Sequence, residues 1–151
     1  MRLTLYTDYA LRILIYLGVN GERQSSTAEI ARAYRISESH LTKVVHQLGR
    51  LGMIRTTRGR GGGLRLGQPP AEIRVGTVVR ATEEDFTLAE CFSGTACVLT
   101  PICRLQRVFG EALNAFLTVL DQVTLADLIG GSAAEITRLL GLDAPRAGAQ
   151  T

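Results

Sequence analysis

Apolar residues in the first fifty positions recur with a helical period three times over. Ala10, Ile13, Leu14 and Leu17 fall at i, i+3, i+4 and i+7, the spacing of one buried helix face, and Gly18 and Gly21 close that segment. Ser26 followed by Glu29 is a capping-box signature, and Thr27, Ile30, Ala31 and Tyr34 repeat the spacing over a shorter helix that ends near Arg35. Ser37 can cap a third helix, in which Leu41, Val44, Val45 and Leu48 share one stripe and Gly52 marks the stop.

Beyond Gly52 the period changes from helical to alternating. Ile54 and Thr56 form one arm, Leu64 and Leu66 the other, with Gly59, Gly61, Gly62 and Gly63 between them, which predicts a β-hairpin with a flexible, arginine-bearing tip. After Pro69 and Pro70 a brief helix is expected over Val75–Thr82. The acidic run Glu83, Glu84, Asp85 then leads into a segment expected to be a loop. From about Arg104 the helical period returns, with Leu105, Phe109, Ala112, Phe116, Val119 and Val123 near one face over about 20 residues, or about 30 Å. A helix that long and apolar needs a partner. Thr124 begins a further short helical piece, and residues 144–151, small and polar, are expected to fray.

Helix, short helix, turn, longer helix and then an arginine-rich hairpin is the order of a mainly α fold, a winged helix-turn-helix with a small hairpin wing, whose third helix enters the major groove. The chain divides on this reading into a DNA-binding domain over 1–82, a cysteine-bearing loop over 83–103, a long-helix region over 104–130, and a C-terminal segment and tail over 131–151. Opposite the apolar stripe of the third helix lie Ser39, His40, Lys43, His46, Gln47 and Arg50, groups able to reach base edges or phosphates. Residues 37–43, beginning with Ser37, stand nearest the helix start and are the expected base readers. In the wing, Arg58, Arg60 and Arg65 flank glycines that let the backbone come close to a phosphate or enter a narrow groove.

Charge sharpens this division. Residues 1–80 carry thirteen lysines or arginines against five acids, whereas residues 81–151 carry four against nine. A net charge of +3 therefore hides a basic half joined to an acidic one, the pattern of a polyanion-binding module with a separate attachment. Asp8 and Arg12 interrupt the apolar first segment, and nothing else approaches the roughly 18 uninterrupted apolar residues of a membrane span, so a soluble, cytoplasmic protein is expected. No nucleotide-binding loop or catalytic triad points to an enzyme or an electron carrier.

Cys91, Cys97 and Cys103 are the only cysteines, each separated from the next by five residues. An odd, tightly grouped set without a secretory signal argues against a disulfide framework. Three thiolates on one loop can converge on a single inorganic centre, and an iron–sulfur cluster would then need a fourth ligand from elsewhere. Cys₃His zinc would require His40 or His46, both on the face expected to meet DNA. Three buried structural cysteines, or a reactive-thiol switch, are the other readings of the triplet.

With these features placed, the sequence resembles the NsrR/IscR family of iron–sulfur winged-helix regulators, and within it the NsrR-type nitric-oxide-sensing repressors. The resemblance runs from the start of the chain to about Ile129. It rests on Leu3-Thr4 with Thr7-Asp8-Tyr9-Ala10-Leu11-Arg12, on Arg58-Gly59 with Gly62-Gly63 and Leu66, on Cys97 to Leu105 and above all Thr100-Pro101-Ile102-Cys103-Arg104-Leu105, and on Leu117-Thr118 and Thr124-Leu125-Ala126-Asp127-Leu128. It implies a homodimer, with the long helix pairing across a two-fold axis, and a cluster in each subunit, [4Fe-4S] rather than [2Fe-2S]. IscR-type members carry a histidine ligand three residues after the last cysteine, where this chain has Gln106. NsrR-type members carry an aspartate on the first helix, matching Asp8, which becomes the candidate fourth ligand from the opposite subunit; its plain alternative is a surface pair with Arg12 at i+4. The implied function is a repressor that binds double-stranded operator DNA and releases it when nitric oxide nitrosylates the cluster. A regulator of the same family that senses iron–sulfur status or redox state is the other reading.

Overall fold

The computed structural model describes residues 2–59, 61–92, 94, 97–99 and 102–142. Seven α-helices are defined among them: α1 (Leu5–Asn20), α2 (Thr27–Tyr34), α3 (Glu38–Arg50), α4 (Val75–Thr82), α5 (Arg104–Gln122), α6 (Leu125–Gly130) and α7 (Ala133–Leu139). A two-stranded antiparallel sheet, β1 (Ile54–Thr57) and β2 (Gly63–Leu66), lies between α3 and α4. The mainly helical, winged helix-turn-helix architecture expected from the periodicity is the one observed.

Local chemistry explains where the elements begin and end. Thr4 caps α1 by accepting from the Thr7 amide, and Gly21 ends that helix with φ 61, a conformation that costs glycine nothing. Helix α1 thus runs through Gly18, whose missing side chain leaves room for Ile129 and Leu125 of α6. Ser26 and Glu29 close a reciprocal capping box on α2. Between α2 and α3 the chain turns at Arg35, whose φ of 55 makes it the non-glycine residue held in the left-handed region among the described residues. Ser37 occupies the N-cap of α3, but its hydroxyl pairs with Ser39 at 2.8 Å and makes no side-chain cap bond.

The hairpin register is Ile54↔Leu66, Arg55↔Arg65, Thr56↔Leu64 and Thr57↔Gly63, which sets the two arms expected from the alternating pattern opposite each other. Leu64 also exchanges backbone hydrogen bonds with Ser25 at 3.0 and 2.7 Å, tying the wing to the linker between α1 and α2. Ile13, Leu14 and Leu17 of α1, Ile30 of α2, Leu41, Val44 and Leu48 of α3, Ile54 and Leu64 of the wing, and Leu125 of α6 form one buried core. A second, smaller cluster joins Val75 and Val79 of α4 to Leu117 of α5, with Leu113, Phe116 and Leu120 packed around it.

Gly76 makes that α4–α5 contact possible, because a side chain there would run into the Asp121 carboxylate. Asp121 instead takes both Arg80 guanidinium nitrogens, one at 2.7 Å, and its carbonyl accepts from Arg74 at 2.8 Å. The hydrogen bond from Arg80 holds the Asp121 carboxyl below its ordinary value. Helix α7, not anticipated by the periodicity, packs back on α1. Among the described residues no helix is long and apolar enough to cross a membrane. The expected frayed tail and Arg60 lie outside the described residues.

Candidate nucleic-acid interface and cysteine centre

Helix α3 buries Leu41, Val44 and Leu48 and turns its other side outward. Ser37, Ser39, His40, Lys43, His46 and Arg50 are exposed on or beside it. Gln47 is half-buried and lines a different cleft, shared with Thr4, Tyr6 and residues 82–87. Between α3 and the hairpin runs an open groove of about 800 Å³, bordered by Thr42, His46 and Arg50 on one side and by Arg55, Arg58 and Arg65 on the other.

Arg55 was not singled out from the sequence. It is the cross-strand partner of Arg65, so two guanidinium groups stand opposite each other in the wing. Like charges directly opposite on a hairpin destabilise it, and a sequence tolerates such a conflict where function requires it; a polyanion lying in the groove would relieve this one. The signal was available only once the register was known. Glu22 reaches Arg65 at 3.6 Å from a nearly fully exposed position, a pairing of little energetic weight.

The cysteine segment hangs between α4 and α5. Cys91 sits in a one-turn 3₁₀ helix, Glu90–Phe92, and Cys103 occupies the N-cap of α5, where unpaired amides and the helix dipole favour a negative group. Gln106, one turn into α5, donates to the Cys91 carbonyl at 3.3 Å, holding the first cysteine beside the helix end that carries the last. Cys97 is exposed, Cys91 and Cys103 are half-buried, and none forms a disulfide. Val98 is 96% exposed and Ile102 80%, so the segment leaves apolar side chains uncovered.

Among the described residues no three histidine, cysteine or acidic side chains converge as a metal site. The donor set nevertheless suits an iron–sulfur group, because all three thiols are free and two flank one helix terminus. His40 and His46, the nitrogen donors a Cys₃His zinc site would need, lie on the exposed face of α3.

Asp8 lies in the first turn of α1 and pairs with Arg12 at 3.0 Å, both about two-fifths exposed. The guanidinium of Arg12 in turn sits 5.6 Å from the centre of the Tyr34 ring on α2. Burial pushes the Tyr34 hydroxyl up to about 12, opposed in part by Arg12. An exposed i,i+4 pair contributes about 0.3–0.5 kcal/mol, so Asp8 can exchange Arg12 for another partner at small cost.

An outward recognition helix, an arginine wing and a core that fixes one against the other define a winged helix-turn-helix transcription regulator, not an enzyme. The chain belongs to the Rrf2 family, described as an iron-dependent transcriptional regulator, which it matches over residues 3–131. It is 56% identical over 132 residues to the HTH-type transcriptional regulator NsrR of Geobacillus kaustophilus, covering 85% of this chain and 90% of that protein. The NsrR of Bacillus subtilis is 51% identical with the same two coverages. Among solved structures, CymR, the global cysteine regulator of B. subtilis, superposes with a TM-score of 0.72 at 28% identity, over 87% of this chain and 98% of that one. IscR of T. potens shares the fold, with a TM-score of 0.65 at 24% identity over 87% and 88% of the two chains.

Proposed function

We propose that this regulator is a cytoplasmic repressor that binds double-stranded operator DNA as a homodimer and releases it when nitric oxide attacks an iron–sulfur cluster. Cys91, Cys97 and Cys103 are the proposed thiolate ligands, with Asp8 as the fourth, and [4Fe-4S] is favoured over [2Fe-2S]. The observation that carries the reading is the placement of the free cysteine triplet: its segment is rooted on α4, which packs against the helix bearing Asp8. The NsrR relatives support the reading as a transcription regulator. A bound cluster would supply iron open to a small diatomic molecule where a carboxylate, rather than a thiolate, is the ligand.

The chain's own residues account for the rest. Leu105, Val108, Ala112, Ala115 and Val119 recur at alternating steps of three and four along α5, and all are exposed. That heptad seam, with alanines at its middle, suits a second copy of the same helix. Phe116, Leu117 and Leu120 face α4 instead, so each α5 would bind its partner on one side and its own DNA-binding domain on the other. Ser37, Ser39, His40, Lys43 and Arg50 would meet the major groove, and Arg58, Arg60 and Arg65 its flank, whereas Gln47, expected among them from the sequence, is turned to the cleft beside Tyr6 and Thr82. Two recognition helices must stay about 34–36 Å apart to engage half-sites one turn apart. Moving Asp8 from a ligand back to Arg12 would change how α1 is held, and with it that spacing. The boundaries at 82, 103 and 130 follow these roles.

Anaerobically purified protein, with iron and sulfide counted, can be titrated with nitric oxide against a labelled promoter fragment. We expect release as the cluster absorbance bleaches, and an affinity that falls by about 10³–10⁵ between 50 and 200 mM salt if a dimer neutralises about 6–10 phosphates. Equal operator binding by loaded and cluster-free protein would overturn the sensing mechanism. Release governed by cluster supply but not by nitric oxide would favour an iron–sulfur-status or redox regulator.

A further inference from the structure

Glu83 ends α4 and begins the segment that leads to the cysteines, yet its carboxylate is committed to a different helix. Its Oε1 accepts from the Thr4 amide at 2.8 Å, from the Thr4 hydroxyl at 3.0 Å, and from the Thr7 hydroxyl. Thr7 is fully buried, and its hydroxyl also pairs with Thr82 at 2.8 Å. One carboxylate therefore gathers the N-terminus of α1, where the helix dipole and an unpaired amide both favour a negative charge. The same turn of α1 reaches the recognition helix, because the Tyr6 hydroxyl donates to the Lys43 carbonyl of α3 at 3.1 Å. Asp8 lies one residue beyond Thr7. The root of the cysteine segment, the candidate fourth ligand and the middle of the recognition helix are thus joined through a single helical turn, around a cleft of about 540 Å³ that Gln47 also lines.

We propose that Glu83 is a positioning residue: its bonds to Thr4 and Thr7 set the first turn of α1, and Tyr6 passes that setting to α3, so that the state of the cysteine segment reaches the DNA-binding surface. This rests on the cluster-dependent reading above. Three bonds to one carboxylate favour a held turn over a frayed one, since hydrogen bonds to a charged group are stronger than neutral ones. Helix termini otherwise open easily. Releasing the turn would leave the buried main core intact, because Thr4, Thr7 and Glu83 supply none of its apolar side chains and the Tyr6 ring only packs against its edge.

The test compares wild type with Glu83→Ala, Glu83→Gln and Tyr6→Phe in the full chain, each loaded with cluster and stripped of it. Two quantities are read: hydrogen exchange at the Thr4 and Asp8 amides, and the ratio of operator affinities between loaded and stripped protein. For Glu83→Ala we expect exchange at Thr4 to speed up by about tenfold or more and the affinity ratio to fall toward one, with urea unfolding of the main core unchanged. Glu83→Gln, which keeps the shape and one acceptor oxygen, should give a smaller change in both and covers the case in which the alanine variant folds poorly. Tyr6→Phe should lower the ratio while the Thr4 amide stays protected, because it breaks the path one step later. The proposal is overturned if Thr4 remains protected in both Glu83 variants. It is also overturned if the wild-type ratio is well above one and neither Glu83→Ala nor Tyr6→Phe reduces it. A wild-type ratio near one would instead sink the cluster-dependent reading and this coupling together.

Discussion

The DNA-binding half and the cysteine-bearing half of this chain are packed to different standards. Among the described residues, one cluster of sixteen buried side chains joins α1 to α3 and the wing to Ile73, to Val78 of α4 and to Leu125 of α6, whereas three are buried where α4 meets α5. The first half is closed with the help of α6, which contributes Leu125 to its core. The second leaves Val98, Ile102, Leu105, Val108 and Val119 exposed, at positions whose neighbours in a working assembly would be a second subunit and a bound group. One chain is enough to bury the core of the DNA reader, whereas the proposed sensor would need a second subunit to cover its apolar surface.

The contrast can be broken by attacking each half. Leu41→Ala, at a fully buried position of α3, should cost about 2–5 kcal/mol in urea unfolding, by the same amount at every protein concentration. A loss below about 1 kcal/mol would mean that the core is looser than its packing indicates. Val119→Glu should leave the monomer's fold intact yet place a charge in the proposed seam. At about 2 kcal/mol, it should raise the dimer dissociation constant about thirtyfold, measured by sedimentation. Unchanged self-association would remove α5 as the interface.

Smaller substitutions sharpen the same division. Arg35→Gly relieves a left-handed backbone between α2 and α3. The gain of about 1 kcal/mol is partly offset by the greater freedom glycine has when unfolded, leaving about 0.5 kcal/mol and a rise in Tm of about 1–2 °C. A lower Tm would show that the Arg35 side chain stabilises the turn by more than its backbone strains it.

At α4–α5, Asp121 has a folded pKa below its ordinary 3.8, so its pairing with Arg80 contributes stability above that ordinary value. That contribution is lost as pH falls through the lowered folded value. Asp121→Asn should therefore melt below wild type at pH 7, with the two curves converging under acid. A gap that stays constant down to pH 2.5 would assign the loss to packing instead of charge.

The chain's periodicity reveals the DNA reader because α1, α2 and α3 each bury residues of their own stripe, and the alternation in the wing marks its two arms although only Ile54 and Leu64 of them are buried. Charge asymmetry and the cysteine triplet are equally local. What escaped were relations between distant residues. Glu83 reaches Thr4 across 79 positions, and Arg55 stands out only when β1 and β2 are in register.

Helix α5 shows the limit most clearly. The stripe drawn from its sequence mixed Leu105, Ala112 and Val119, which face outward, with Phe116 and Val123, which pack toward α4. Both sides of that helix are apolar, so hydrophobic spacing alone could establish that it is a helix in need of partners but could not say which side each partner takes. Likewise the sequence leaves Asp8 open to a ligand role or to pairing with Arg12; the folded monomer has the Arg12 pair. Local propensity and pattern decide which elements form, since each residue carries that information within a few positions. Which carboxylate holds which helix, and which apolar face is left uncovered, depends on contacts that exist only after those elements have packed.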